Sequence, residues 1–208
     1  VDMEMAFIVD EDTVMSHLEE SLKYAIRKLI DGNREAVEQL NPDLRVPEER
    51  FPRITYTDAL DLLSRNDKHV EWGEDLDTES EKLLGTIMEE RGHDFYFITE
   101  YPSRIKPFYI MVRDDRQDVC RAFDLDYKGM EITSGGQREH RYQTLVARMK
   151  ELGLDPRDFE FYLKAFRYGM PPHGGLGLGI ERLVQKLFNI SNVREVVLFP
   201  RDRKRLLP

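Results

Sequence analysis

His173-Gly174-Gly175-Leu176-Gly177-Leu178-Gly179-Ile180-Glu181-Arg182 reads as a glycine-studded strand that runs into a helix. Its four glycines leave one face of the strand without Cβ atoms, so a flat ligand can approach the backbone. The apolar residues of Leu183-Val184-Gln185-Lys186-Leu187-Phe188 then fall at helical spacing. Arg182 stands at the junction, a planar and permanently charged group suited to a ring or a phosphate. A tight strand–helix junction with no ligand would use the same glycines, so a second signal is needed.

That signal is Phe123-Asp124-Leu125-Asp126-Tyr127-Lys128-Gly129-Met130-Glu131-Ile132-Thr133-Ser134-Gly135-Gly136-Gln137-Arg138-Glu139-His140-Arg141. Lys128-Gly129 is a turn between two short segments, which predicts a hairpin carrying Asp124 and Glu131 on paired antiparallel strands. Facing carboxylates repel unless something positive lies between them. A divalent cation carrying phosphate oxygens suits them, because magnesium is usually held by one or two carboxylates plus its substrate. Arg138 follows just past Gly135-Gly136, in a position to grip a carboxylate with both arms of its fork.

Together these segments resemble the class II aminoacyl-tRNA synthetases, and within them the archaeal and eukaryotic type of aspartyl-tRNA synthetase. The glycine run with Glu181-Arg182 is similar to the third signature motif of that class. The Asp124, Glu131 and Arg138 spacing resembles its metal-binding and amino-acid-binding strands. Val1-Asp2-Met3-Glu4-Met5-Ala6-Phe7 resembles the closing strand of the second motif. The resemblance runs through essentially the whole chain and keeps the family's motif order.

The resemblance implies an α+β fold, a mixed and mainly antiparallel sheet flanked by helices. It implies a ligase that uses ATP and Mg2+ to activate aspartate as an adenylate and then loads it onto tRNA. Asp124 and Glu131, with Ser134, would hold magnesium; Arg138 would grip the substrate side chain. Asp2 would face the substrate ammonium and Tyr109 would lie near the amino acid, while Glu4 reads as structural. Gly177 and Gly179 would give ATP room, with Arg182 on the adenine or the γ-phosphate, so that Arg182 and Glu131 act at the reacting phosphates. His140 is either a second positive partner for the substrate or a structural histidine near a helix start.

Pro107, His140 and the tail Pro200-Arg201-Asp202 resemble aspartyl rather than asparaginyl enzymes; Ser134-Gly135-Gly136-Gln137, with glycine where aspartyl enzymes often carry alanine, does not separate the two. Asparaginyl-tRNA synthetase, a tRNA-independent paralogue that makes asparagine, and a non-catalytic binding module are the alternatives. The chain opens at Val1 inside the second motif, which implies that residues 1–208 are the C-terminal portion of a catalytic domain. The anticodon-binding domain, the first motif with its homodimer contact and the strand with the ATP-gripping arginine would then lie outside it. On its own such a piece is not expected to turn over.

Composition adds bounds. With 208 residues, 40% of them hydrophobic, the chain can bury a substantial core as one domain. The single cysteine, Cys120, excludes an internal disulfide framework and suits a reducing, cytoplasmic setting. No apolar run approaches a membrane span. The net charge of -9 does not advertise nucleic-acid binding.

Periodicity predicts an amphipathic helix from Asp12 to about Ile30 and a loop over 41–53. A short helix capped by Thr57, a helix from Thr78 to Glu90 and a strand over Phe95–Thr99 follow. Strand, turn and strand are expected over 100–109, then a helix from Gln137 to Leu152 and one opened by Asp155-Pro156. Trp72-Gly73-Glu74-Asp75-Leu76 is either an approach to the active-site rim or a plain surface loop.

Overall fold

Alternation along each strand gives the sheet two unlike faces. In the computed structural model, which describes residues 1–207, the strands are β1 (Asp2–Ala6), β2 (Arg53–Thr55), β3 (Phe95–Thr99), β4 (Ala122–Tyr127), β5 (Glu131–Gln137) and β6 (His173–Leu178). They lie in the order β1-β6-β5-β4-β3-β2, and every pair is antiparallel except β2 with β3. The helices are α1 (Glu11–Gly32), α2 (Arg34–Leu40), α3 (Tyr56–Ser64), α4 (Thr78–Glu90), α5 (Tyr142–Glu151), α6 (Glu160–Arg167) and α7 (Ile180–Leu187). The mixed, mainly antiparallel α+β architecture is the one expected.

One face of the sheet presents Met3, Met5, Phe123, Leu125 and Leu176 to Val14, Leu18, Leu22 and Ile26 of α1. Those four recur every fourth residue, so a single stripe of the helix is buried; each is worth about 1.5–3 kcal/mol of apolar transfer. At the β3–β4 end, the other face packs Tyr96, Ile98 and Ala122 against α3 and α4 through Leu62, Leu63, Leu84 and Met88. A third cluster joins Leu145 and Met149 of α5 to Leu163 and Phe166 of α6, with Phe108 and Tyr162 against it. Between the second and third clusters, the second face of β1, β6 and β5 is left as a trough.

Five local expectations are corrected. The helix after the second glycine pair begins at Tyr142, not Gln137. Gln137 extends β5, and Arg138 and Glu139 donate their backbone N–H groups to the carbonyls of His173 and Tyr109. Those long-range bonds outcompete the helical option for the same backbone. Thr55, not Thr57, caps α3: its hydroxyl accepts from Asp58 N while Asp58 reaches back to Thr55 N. Residues 100–109 form no strand pair; Pro102 bridges Val119, and Ile110 bridges Arg138. Strand alternation over residues 1–9 would put Phe7 on the face of Met3 and Met5, but its φ of 60° ends β1 and exposes the ring. Asp155 does cap the turn that follows it, but Pro156–Phe159 is a 3-10 turn leading into α6. Lys128 and Gly129, at φ 49° and 67°, make the tight β4–β5 turn as expected.

Candidate functional site

Register decides which side chains share the trough. Asp2 on β1 stands opposite Gly177 on β6, Gly177 opposite Ser134 on β5, and Ser134 opposite Asp124 on β4. Two residues along, on the same face, Glu4 faces Gly175 and Gly175 faces Gly136. Asp126 pairs with Glu131 across an irregularity in the β4–β5 ladder, so Glu131 reaches the same end as Asp124 without lying directly opposite it.

The glycines divide by function. A Cβ on Gly135 would come within 2.5 Å of the Phe123 ring and 2.6 Å of the Gly175 carbonyl, and one on Gly174 within 2.8 Å of the Gly136 carbonyl. These are packing glycines. At Gly177 the nearest atom would be Asp2 Oδ1 at 3.4 Å, and at Gly179 the Ile132 carbonyl at 3.6 Å, both ordinary contacts. Neither is required by the chain's own packing.

At one end of the trough Arg138, mostly buried, stacks over the Tyr109 ring with its guanidinium carbon 5.5 Å from the ring centroid. Its Nη2 and Nε donate to Glu4 Oε1 at 2.7 and 3.2 Å. The open cleft here, about 410 Å3, is lined by Glu4, Tyr109, Arg138, Tyr162 and His173. His140 is not among them. Its Nδ1 is buried without a hydrogen-bond partner, and burial depresses its basicity. Arg138 and Tyr109 also line the next cleft, with Lys106, Ser134 and Gly177.

Lys106 in turn leads to an acidic cleft formed with Asp75, Glu81, Asp124, Asp126 and Glu131. Lys106 Nζ donates to Asp124 Oδ2 at 2.8 Å and lies 3.7 Å from the Tyr101 ring centroid. Asp126 accepts from the Tyr96 hydroxyl, and burial pushes its carboxyl up to about 8. Burial, then the charge of Asp124, raises Glu131, while Arg182 and Lys106 oppose the rise. From the first turn of α7, Arg182 Nη1 donates to the Glu131 carbonyl at 2.7 Å and to its Oε1 at 3.4 Å. Asp75 and Leu76 bring the Trp72 loop to this rim, and Arg104 lies over the Trp72 ring and donates to its carbonyl.

Magnesium fits this end. Asp124 is buried, and its Oδ1 has no hydrogen-bond partner. An orphaned carboxylate oxygen of that kind costs free energy until something positive meets it. Among the described residues no three His, Cys, Asp or Glu side chains converge closely enough to hold an ion alone. A hard cation here would complete its shell with phosphate oxygens.

Of the residues singled out from sequence, Tyr109, Ser134, Gly177 and Arg138 line one cleft, while Asp124 and Glu131 line the next, with Arg182 hydrogen-bonded to Glu131. Asp2 borders the trough at Gly177. Sequence reasoning passed over Lys106, Glu81 and Asp126, and it read Glu4 as structural. Asp126 shares strand parity with Asp124, and Lys106 directly precedes Pro107-Phe108-Tyr109, so both carried a usable signal. Glu81 and His173 reach the site only through long-range packing.

Adjoining clefts thus run from Arg138 and Tyr109 at one end to Asp124 and Glu131, with Arg182 hydrogen-bonded to Glu131, at the other. The profile of tRNA synthetases class II (D, K and N) matches residues 1–203, and the chain belongs to that family. It is 56% identical to the aspartate–tRNA(Asp) ligase of Pyrococcus furiosus, over all of this chain and 48% of that protein. Among solved structures, the aspartyl-tRNA synthetase of Entamoeba histolytica superposes with a TM-score of 0.93 at 31% identity, covering all of this chain and 44% of that one. The asparaginyl-tRNA synthetase of Pyrococcus horikoshii superposes at 0.92 with 36% identity, covering all of this chain and 49% of that one. The chain spans about half the length of the curated relatives it matches. No helix among the described residues is long and apolar enough to cross a membrane.

Proposed function

We propose that residues 1–208 are the C-terminal portion of the catalytic domain of an aspartate–tRNA ligase. Its substrates would be aspartate, ATP and tRNA, and it would work in the cytoplasm as a homodimer joined through segments outside this chain. The observation that carries the reading is the row of adjoining clefts from Arg138, past bare Gly177 and Lys106, to Asp124, Glu131 and Arg182.

The first step joins an oxygen of the aspartate α-carboxylate to the α-phosphorus of ATP and breaks the bond to the β-phosphate bridging oxygen, releasing pyrophosphate. The second joins a terminal ribose hydroxyl of tRNA to the activated carbonyl carbon; AMP leaves and the hydroxyl proton passes to solvent. Neither needs a protein nucleophile, so the residues act by position and charge. Arg138 and Tyr109 seat the side-chain carboxylate, and Asp2 meets the ammonium group. Gly177 and Gly179 let the nucleotide lie on the strand, with Arg182 above it. Asp124 and Glu131, with Ser134 beside them, would hold magnesium, which when bound screens the negative charge of the phosphates.

Asparagine is the competing substrate, and the asparaginyl structure from Pyrococcus horikoshii is the observation in its favour. The 56% identity to an aspartate enzyme outweighs it. Amino-acid-dependent ATP–pyrophosphate exchange, measured on the full-length polypeptide with aspartate and with asparagine, tests the reading. Exchange with aspartate alone supports it, and exchange with asparagine alone or with neither overturns it.

A further inference from the structure

Arg138 is not free to receive a ligand. Its Nε and Nη2 edge, the edge a carboxylate would engage side-on, is already taken by Glu4 Oε1 at 3.2 and 2.7 Å. Tyr109 covers one flat face of the guanidinium. Glu4 comes from the neighbouring strand β1, opposite Gly175, and its side chain is 56% exposed, whereas that of Arg138 is 16% exposed. A half-solvated carboxylate therefore neutralises a largely buried cation beside an open cleft. An incoming carboxylate would otherwise meet a guanidinium with no net charge to offer and a like charge alongside.

From this geometry we infer that Glu4 is a built-in competitor for the substrate side chain, leaving Arg138 when a carboxylate enters and thereby setting specificity; this rests on the aspartate reading above. Two consequences follow from charge. Without substrate, Arg138 is spared the cost of an unpaired buried charge. With substrate, only a ligand that brings its own negative charge replaces what Glu4 gives up. A neutral amide of the same shape leaves Arg138 poorer on exchange, so Glu4 works by disfavouring the wrong ligand. Glu4 is then a specificity-determining residue that acts through Arg138 and does not touch the reacting atoms.

The test is Glu4→Gln in the full-length polypeptide, with Glu4→Asp beside it, because the shorter side chain keeps the charge but loses reach to Arg138. Thermal unfolding confirms that each variant is folded. In pyrophosphate exchange the KM for aspartate should fall about threefold or more, and exchange with asparagine should rise, while the KM for ATP stays put. A purely structural Glu4 would instead raise the aspartate KM or move both KM values together, and either result overturns the inference. Calorimetric titration with succinate, which has the two carboxylates of aspartate and no ammonium group, reads the exchange without catalysis. Tighter succinate binding by both variants than by the natural chain supports competition by Glu4 even if aspartate is not the substrate. Equal or weaker binding sinks it even where aspartate exchange is robust.

Discussion

Arg138 shows how much one side chain's surroundings matter. Held over Tyr109 and paired with Glu4, its guanidinium is fixed in plane and largely withdrawn from water. Truncating the protein's half of a buried, hydrogen-bonded charge pair with a ligand typically costs about 2–5 kcal/mol, much of it from the charge left behind. Arg138→Ala is therefore expected to lower kcat/KM for aspartate by ~2–5 kcal/mol while the KM for ATP holds, read from exchange kinetics on the full-length enzyme. A shared loss for both substrates would mean that the arginine supports the trough as a whole. At the acidic end, Asp124 has an oxygen with no partner and Glu131 is pushed up by burial. Asp124→Asn is expected to shift the magnesium titration of exchange to higher concentration, and an unaltered midpoint would remove Asp124 from the metal site.

Elements divide into those that local sequence specifies and those that neighbours impose. α4 occupies Thr78–Glu90, the span its pattern predicts, because Asp77 caps it by accepting from Ser80 N and Oγ at 2.8 and 2.7 Å. Those bonds hold the Asp77 carboxyl down at about 2. A depressed folded-state value adds stability that is present above the unfolded value of 3.8 and is lost as pH falls through about 2. The melting temperature of Asp77→Ala should therefore lie below the natural one at pH 6, with the gap closing towards pH 2; a gap constant with pH would contradict this.

The β4–β5 turn was legible for the same local reason, since Lys128-Gly129 can adopt left-handed angles. The extension of β5 through Gln137 was not, because it depends on carbonyls of Tyr109 and His173 supplied from elsewhere in the chain. The glycines of β5 and β6 looked alike in sequence and differ only in their neighbours. Gly135→Ala drives a methyl into Phe123 and the Gly175 carbonyl and should cost about 1–3 kcal/mol of stability. Gly177→Ala meets nothing closer than 3.4 Å and should leave the melting temperature intact while weakening ATP binding. Paired thermal and nucleotide titrations separate the two; a large stability loss at Gly177 would return it to the packing class.

Across the whole molecule, the three apolar clusters serve different ends of the trough. The α1 face supports the sheet beneath it. The α3–α4 cluster backs the acidic end through Tyr96 and Ile98, neighbours of Asp126 and Asp124 across the β3–β4 ladder. The α5–α6 cluster backs the other end: Phe108 meets the rings of Tyr109, Phe159 and Tyr162, and Tyr162 lines the Arg138 cleft. None of this division can be read along the chain, because Phe108 and Tyr109 precede β4 and β5 while the helices that brace them, α5 and α6, follow those strands. If the clusters are mechanically separate, damage to one should reach one substrate and not the other. Met149→Ala, deep in the α5–α6 cluster, leaves a cavity and should cost about 2–5 kcal/mol of stability. It should also raise the KM for aspartate through Phe108, Tyr109 and Tyr162. Leu18→Ala in α1 should cost a similar amount of stability and leave the ratio of the aspartate and ATP KM values unchanged. Thermal unfolding matches the two variants for stability, and exchange kinetics then compares their KM ratios at a temperature where both are folded. A shifted ratio in Met149→Ala alone assigns the α5–α6 cluster to the amino-acid end, and equal ratios would mean that the trough responds to core damage as one rigid body.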